Sequence, residues 1–428
     1  MLGTNMKIVV IGLSHLGEVY SACLADLGHD IVGIDENRDV VANLHKAIPP
    51  LAEPKLEEML KRNMKKGRLT FTTDFTLLAG CDVIWTTVDT PIDKRNKANT
   101  NNIFAHIKKS LPYLKNGMLF IVSSQLPVGS FTNISTCIKA HRKDFQFDYA
   151  YVPENLRLGE AVDSFMKPSR IVIGIDTMKR KEEILRIFRK LKTNILIVSV
   201  ASAEMIKHAT NAYLATSLSF IYDIADVCER FGADISEVSR GLRADARIGE
   251  KAYLDASAGF SGGHLERDLH YLQNIAKSKK INLPVIASVI RKNKERKKIV
   301  FEKITPHLGT WKGKTVTFLG LTYKSGTPTL AHSLPMTIVK EALARGAKIN
   351  LCDPWVKKRD YSADPYEAAR GSHVIICITP WADLKKLDFR KIARLMATPK
   401  IFFDARNYFA EARTIIEAAG MRYIGVGR

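Results

Sequence analysis

The first residues able to do chemistry are glycines near the start of the chain. Residues 8–12 form a short apolar run that opens into Gly12-Leu13-Ser14-His15-Leu16-Gly17. In a dinucleotide-binding turn the first glycine makes the tight bend, the second lets backbone approach a pyrophosphate, and the third lets helix and strand pack closely. Gly12 and Gly17 hold the first and third places, and Ser14 holds the second. Serine there adds modest bulk without removing the bend. Asp35 follows about 20 residues on, at the end of a second β-rich run, where a carboxylate accepts hydrogen bonds from ribose hydroxyls and repels a 2′-phosphate. The pattern predicts NAD rather than NADP. His15 reads as a loop filler and not as a catalyst.

Cysteine chemistry is conspicuous by position. The six cysteines stand at 23, 81, 137, 228, 352 and 377, and no two lie closer than 25 residues. Paired thiols for a metal or a redox couple are therefore not expected, nor is any metal site. Scattered single cysteines fit buried thiols in a reducing cytoplasm.

Those residues need elements to position them. The chain has 428 residues, enough for two to four domains of ordinary size, and an apolar fraction of 46% that excludes wholesale disorder. Short β-rich runs (IVVIG, DIVGID, DVIWTTV, MLFIVSS, DYAYV, RIVIGI) alternate with amphipathic stretches up to about residue 195, the grammar of a parallel α/β fold. Residues 203–231 then carry apolar residues at helical spacing, with Gly232 as the stop. The chain stays mostly helical to about residue 300, ending in the charge run RKNKERKK at 291–298. That run and KRNMKKGR at 61–68 read as solvated faces. From about residue 310 the α/β grammar returns with TVTFLGL, KINLCD, HVIICIT and KIFFDA. The order is α/β, all-α, α/β.

Lys and Arg number 65 against 44 Asp and Glu, a net charge of +21. The excess suits anionic partners. Nucleic acid is not expected, because no basic cluster is interleaved with aromatics and no binding module is visible. No apolar run approaches the roughly 20 residues of a membrane helix, and the first residues lack a signal-peptide pattern.

A longer set of motifs then appears in order along nearly the whole chain. It includes CLADLGHDIVGID at 23–35, LAEPKLEEML at 51–60, Val88-Asp89-Thr90-Pro91 and Ser124-Gln125-Leu126-Pro127-Val128-Gly129-Ser130. It continues with Pro153-Glu154-Asn155-Leu156-Arg157, Glu204-Met205-Ile206-Lys207 followed by Asn211, and Arg247-Ile248-Gly249. It ends with Gly259-Phe260-Ser261-Gly262-Gly263, Gly320-Leu321-Thr322-Tyr323-Lys324 and Asp404-Ala405-Arg406-Asn407. In this the chain resembles the nucleotide-sugar dehydrogenases of the UDP-glucose/GDP-mannose dehydrogenase family.

The resemblance implies two Rossmann-like doubly wound domains joined by a central all-helical domain with a long dimerisation helix. The divisions expected are 1–197 for NAD, 198–300 for the helical dimerisation domain and 301–428 for the nucleoside-diphosphate sugar. It also implies a homodimer or higher homo-oligomer, a UDP-sugar as substrate and a place in polysaccharide biosynthesis. Members oxidise a sugar C6 alcohol to a carboxylate in two hydride transfers, and a cysteine traps the intermediate aldehyde. By the same resemblance, Thr90, Ser124, Glu154 and Arg267 join Gly12, Gly17 and Asp35 around NAD. Lys207, Asn211, Arg247, Gly262, Lys324 and Arg406 face the nucleotide sugar, and Lys207, Asn211, Asp268, Glu154 and His264 form the catalytic group.

The departures from the family pattern are concentrated in the chemistry. The family signature GFGGxCxxKD aligns with residues 259–268, which places His264 where the cysteine stands and Arg267 where the lysine stands. The family's loop threonine is Gln125, and the second acid of the PEFLREG segment is Leu158. After Lys324, the family's DxRxSP acid and arginine are Thr329 and Ala331. An alcohol loses hydride once a base takes its proton, but an aldehyde must first become tetrahedral, which a thiolate accomplishes. Imidazole at position 264 offers a base or an acyl-imidazole, and an aldehyde hydrate offers a non-covalent route. Three functions remain open at this level: a UDP-glucose 6-dehydrogenase-like enzyme; a relative that stops after one two-electron oxidation or returns the hydride as an epimerase; and a non-catalytic NAD or nucleotide-sugar binder.

Overall fold

The structure is a computed structural model that describes residues 5–90, 99–261, 263–356 and 359–428. They divide into two compact units between Ala209 and Thr210.

The first unit is built on an eight-stranded sheet. Its strands are β1 (Lys7–Ile11), β2 (Asp30–Ile34), β3 (Leu69–Thr72), β4 (Val83–Thr86), β5 (Met118–Val122), β6 (Phe147–Tyr151), β7 (Arg170–Ile175) and β8 (Asn194–Ser199). Their order is β3-β2-β1-β4-β5-β6-β7-β8. All neighbours are parallel except β6 and β7. A parallel sheet covered on both faces needs strands apolar on both sides, and Ile8, Val9, Val10 and Ile11 are accordingly all buried. The helix His15–Asp26 packs so closely on this sheet that every residue from Gly17 to Ala25 is buried. The strand order reverses at β1, between β2 and β4. In open α/β sheets ligands bind at the carboxyl ends of the strands beside such a reversal.

The second unit carries the rest of the helical segment and a six-stranded sheet. The helix that leads into it, Val200–Phe231, has 32 residues. Gly232, at φ +71°, follows its last residue, a left-handed stop that glycine adopts without strain. Helices Ile235–Ala244, His264–Ser278, Pro284–Arg296 and Ile299–Leu308 come next. The sheet comprises β9 (Thr315–Leu319), β10 (Lys348–Cys352), β11 (Tyr361–Ser362), β12 (Val374–Cys377), β13 (Ile401–Asp404) and β14 (Arg422–Ile424). Its order is β11-β10-β9-β12-β13-β14, parallel throughout. This is the winding of the first six strands of the other sheet. The chain thus has two α/β sheets, parallel but for one pair of strands, with helices between them in sequence, as its motifs imply.

Strands β3, β8, β11 and β14 have no counterpart among the β-rich runs of the sequence. β11 and β14 have two and three residues, too short for a period. β8 runs straight into the long helix at Val200 with no glycine or proline to mark the change.

The charge run at 291–298 is corrected by the structure: it is not simply a solvated face. Arg296 is 3% exposed, pairs with Asp226 and donates to the Ser257 carbonyl at 2.9 Å. Lys292 bridges Asp223 at 2.6 Å and Asp226 at 2.7 Å. Asn293 is buried and braces the Phe260 backbone, accepting from its N–H at 2.9 Å. One side of a charge-rich helix therefore holds the 257–260 turn.

Candidate functional site

The glycine loop has the geometry its composition predicts. Gly12 turns at φ +91°, and a Cβ there would stand 2.9 Å from Val88 Cα. A Cβ on Gly17 would stand 1.8 Å from the Gly12 carbonyl oxygen. Both glycines are therefore required by space, and Gly12 by conformation as well. Asp35, at the end of β2, fastens the loop: its Oδ2 accepts from Leu13 N at 2.7 Å and its Oδ1 from Asn37 N at 2.9 Å. A carboxylate has about four lone-pair sites, so acceptor capacity remains for ribose hydroxyls.

NAD fits these residues. The hydroxyl of Ser14, at the start of the helix His15–Asp26, is buried without a partner, and so is that of Ser124 just beyond β5. Buried hydroxyls are ordinarily satisfied, and a helix N-terminus beside a glycine turn suits a pyrophosphate. Thr90 is spent differently, since its Oγ1 donates to the Gln125 carbonyl at 2.7 Å and holds the loop that carries Ser124.

That loop is also held from the long helix. Glu204, 1% exposed, accepts from Gly129 N at 2.6 Å and Phe131 N at 3.2 Å, capping the helix Ser130–His141. Burial pushes its carboxyl above the usual range, against those two N–H donors. One turn on, His208 Nε2 meets the Leu126 carbonyl at 2.9 Å. Sequence alone marks neither residue for a role, although both flank Lys207 on the same helix.

Lys207 faces Glu154. Its Nζ donates to the Glu154 carbonyl at 2.5 Å and lies 3.4 Å from Glu154 Oε2, and both residues are buried. An ammonium this enclosed is positioned by a carbonyl and a carboxylate rather than by water. One turn further along the same helix, Asn211 donates from Nδ2 to Asp268 Oδ2 at 2.5 Å. Asp268 is fully buried. The long helix thus presents a cation and an amide at four-residue spacing, each engaged with an acid.

His264 is the first residue of the helix His264–Ser278 and is exposed. Its Nδ1 lies 3.1 Å from Arg267 Nη2. A guanidinium only donates, so Nδ1 accepts, and the proton of the neutral ring is on Nε2. The Tyr323 ring packs against this turn, where a Cβ on Gly263 would stand 2.9 Å from its hydroxyl. Burial pushes the Tyr323 hydroxyl up, opposed by the His264 backbone and the charges of Arg267 and Arg406. Tyr323 therefore gathers His264, Arg267 and Arg406 around one ring. The sequence signal is present, since the family segment has phenylalanine there.

The remaining expected site residues separate. Lys324 sits next to Tyr323, in the same turn. Arg247 is an outlying residue, its side chain 90% exposed and paired with Asp245 at 2.6 Å. Gly262 lies outside the described residues, as does Pro91 of the Val88–Thr90 turn. Among the described residues no cysteine takes the place of the missing thiol. Cys23, Cys81, Cys228, Cys352 and Cys377 are buried and Cys137 is half-buried, and burial pushes the Cys81 and Cys352 thiols up to about 12.

The second sheet repeats the first crevice but uses it differently. Gly320 turns at φ +81° after β9, and its N–H donates to the Cys352 carbonyl at 2.9 Å, as Gly12 N donates to the Ile34 carbonyl. Asp353 stands where Asp35 stands. It is 1% exposed and accepts from Leu321 N at 2.8 Å, Trp355 N at 3.0 Å and Trp381 Nε1 at 3.1 Å. Its lone pairs are consumed by its own loop, so this acid organises the turn instead of reading a ribose.

Comparisons with known proteins agree along the whole chain. Three domain profiles of the UDP-glucose/GDP-mannose dehydrogenase family match: the NAD binding domain at 6–192, the central domain at 201–295 and the UDP binding domain at 317–411. A UDP-glucose 6-dehydrogenase of Rickettsia bellii is 34% identical, covering 99% of both chains. UDP-glucose 6-dehydrogenase YwqF of Bacillus subtilis is 33% identical, covering 99% of this chain and 98% of its own. The solved structure of a UDP-glucose dehydrogenase from Pyrobaculum islandicum superposes with a TM-score of 0.88 at 27% identity over 95% of each chain.

Proposed function

The chain belongs to the UDP-glucose/GDP-mannose dehydrogenase family and is an NAD-dependent nucleotide-sugar dehydrogenase, and on that premise we propose that it oxidises a primary alcohol of a UDP-sugar, UDP-glucose being the first substrate to test. The observation that carries the residue assignment is the spacing of Lys207 and Asn211, one turn apart, bound to Glu154 and Asp268 respectively. Bound NAD supplies the hydride acceptor. Lys207 and Asn211 stabilise the negative charge that develops on the alcohol oxygen. Asp268 takes the proton, and Glu154 orients the ammonium. Arg406 and Lys324 offer cationic contacts to the diphosphate, while Arg247 and Gly262 complete the substrate set inferred from the family motifs. Thr90, Ser124, Glu154 and Arg267 make up the coenzyme set inferred from the same motifs.

A second reading concerns the fate of the aldehyde once the first hydride has left. The Arg267 contact engages the Nδ1 lone pair of His264, which supports a route without covalent capture of the aldehyde. Either the aldehyde leaves after one oxidation, or its hydrate is oxidised without capture. Stoichiometry decides: limiting UDP-glucose with excess NAD yields one NADH per sugar in the first case and two in the second, with the C6 product identified by ¹³C NMR. No NADH with a range of UDP-sugars, despite NAD binding, would point instead to a non-catalytic binder.

The three-part division at 1–197, 198–300 and 301–428 is our functional partition. We also propose a homodimer through the long helix. Tyr213, Phe220 and Val227 recur every seven residues and are 72%, 49% and 53% exposed. An apolar stripe of this spacing suits a helix partner. Light scattering at micromolar concentration tests it. We propose a cytoplasmic location as well, a reading that the scattered, unpaired cysteines support.

A further inference from the structure

One buried carboxylate of the first unit has no part in the chemistry above. Glu53 has a fully buried side chain and collects three donors. His15 Nε2 lies at 2.8 Å and Gly159 N at 2.7 Å from its Oε1, and Ala161 N at 3.1 Å from its Oε2. His15 belongs to the glycine loop. Gly159 and Ala161 belong to the stretch that follows Glu154 and leads into the helix Ala161–Met166. Two residues beyond Glu53, Lys55 pairs with Asp163 of that helix at 2.7 Å. Segments more than a hundred residues apart are therefore joined through one side chain.

The electrostatics suit a single anion. Burial works to raise the Glu53 carboxyl, but the bonds from His15, Gly159 and Ala161 outweigh it and hold the group below the usual carboxylate range. Glu18, one turn along the helix that His15 begins, is fully buried, and burial pushes its carboxyl up to about 9. Near neutrality Glu53 is charged and Glu18 is not.

We propose that Glu53 is a positioning residue that couples the coenzyme loop to the Glu154 stretch, with His15 as the link. It rests on the reading of Glu154 as a residue of the substrate site. A pyrophosphate on the loop N–H groups restricts residues 12–17, which keeps His15 in the orientation that reaches Glu53. Glu53 so held keeps Gly159 and Ala161 from opening. NAD binding thereby raises the free energy of local opening at 157–162, and ordering of one loop lowers the cost of ordering the other. His15, at first sight a filler, is the residue through which the glycine loop touches the substrate side.

The test is amide hydrogen exchange on the full chain with NAD alone and no sugar. In the wild type, saturating NAD slows exchange in 157–162 by about tenfold, as expected when local opening becomes costlier. His15→Phe, held at an NAD concentration that its own titration shows to be saturating, loses that slowing. A role confined to stability would lower the melting temperature of His15→Phe without changing the NAD-dependent ratio. Glu53→Ala serves as a second variant and loses the slowing as well. The coupling is overturned if NAD leaves 157–162 unchanged in the wild type, or if His15→Phe at saturating NAD keeps the full effect. Because no sugar is present, a failure to oxidise UDP-glucose bears on the substrate reading and not on this result.

Discussion

Arg267 Nη2 stands 3.1 Å from His264 Nδ1. A guanidinium only donates, so this contact supports the proposed reading of the imidazole as a hydrogen-bond donor rather than a nucleophile. Losing one donor aimed at a developing oxyanion costs about 10²- to 10³-fold in well-enclosed sites. His264 is exposed, so a smaller effect applies. His264→Ala is expected to lower kcat for the first hydride transfer by about tenfold with KM for NAD unchanged. His264→Cys is expected to move the NADH yield toward two per sugar. A yield that stays at the wild-type value in His264→Cys would show that the thiol is not what the second step lacks.

The pair Asn211 and Asp268 is the more severe test of the first step. Asp268→Asn keeps the shape and removes the charge that accepts from Asn211. Loss of a general base lowers rates by about 10²- to 10⁴-fold. The expectation is a fall in kcat of that size, with NAD binding by fluorescence titration unaffected. Lys207→Met should also abolish most activity, because it removes the cation while leaving Glu154 buried without its partner. If either variant retains more than about a tenth of wild-type kcat, its assigned role in charge or proton handling is wrong.

Much of this is legible in the sequence, for physical reasons that differ by residue. Gly12 and Gly17 announce themselves because only glycine fits against Val88 and the Gly12 carbonyl oxygen. The 32-residue helix announces itself by its period and its glycine stop. Lys207 and Asn211 are found through their motif, and their four-residue spacing already puts them on one face. Glu53 and Tyr323 lie inside recognisable motifs that assign them no role. Their work depends on partners 106 and 59 residues away (Gly159 and His264), and no local pattern encodes such a meeting. Arg296 misleads for the same reason. A charge run looks solvated until Asp226 and the Ser257 carbonyl are brought to it.

Asp35 should set coenzyme choice. Its carboxylate already holds Leu13 N and Asn37 N, so removal weakens the loop as well as the ribose contact. Asp35→Ala is expected to raise KM for NAD by about tenfold, the size of one or two lost charge-assisted hydrogen bonds. It should also narrow the preference over NADP, because the repulsion of a 2′-phosphate goes with it. Steady-state kinetics with both coenzymes checks this. An NAD-to-NADP ratio unchanged by the substitution would remove Asp35 from the specificity argument.

Glu18 gives the molecule a pH-dependent weakness of predictable sign. Burial raises its carboxyl from 4.5 to about 9. In the unfolded chain the group releases its proton above about pH 4.5, whereas in the folded chain it keeps it. Between those values the folded state binds more protons, so stability falls as pH rises. The loss begins near the unfolded value and levels off only above about 9. At 1.36 kcal/mol per pH unit, the cost at pH 7 is on the order of 3 kcal/mol, less whatever relaxation admits water. Glu18→Gln has nearly the same shape and no proton to lose. The variant is therefore expected to melt close to wild type at pH 5 and several degrees above it at pH 8, with the gap widening steadily between. Paired thermal melts across that range measure it. A gap that is constant with pH, or that shrinks as pH rises, would mean that Glu18 is ionised in the folded protein alongside Glu53.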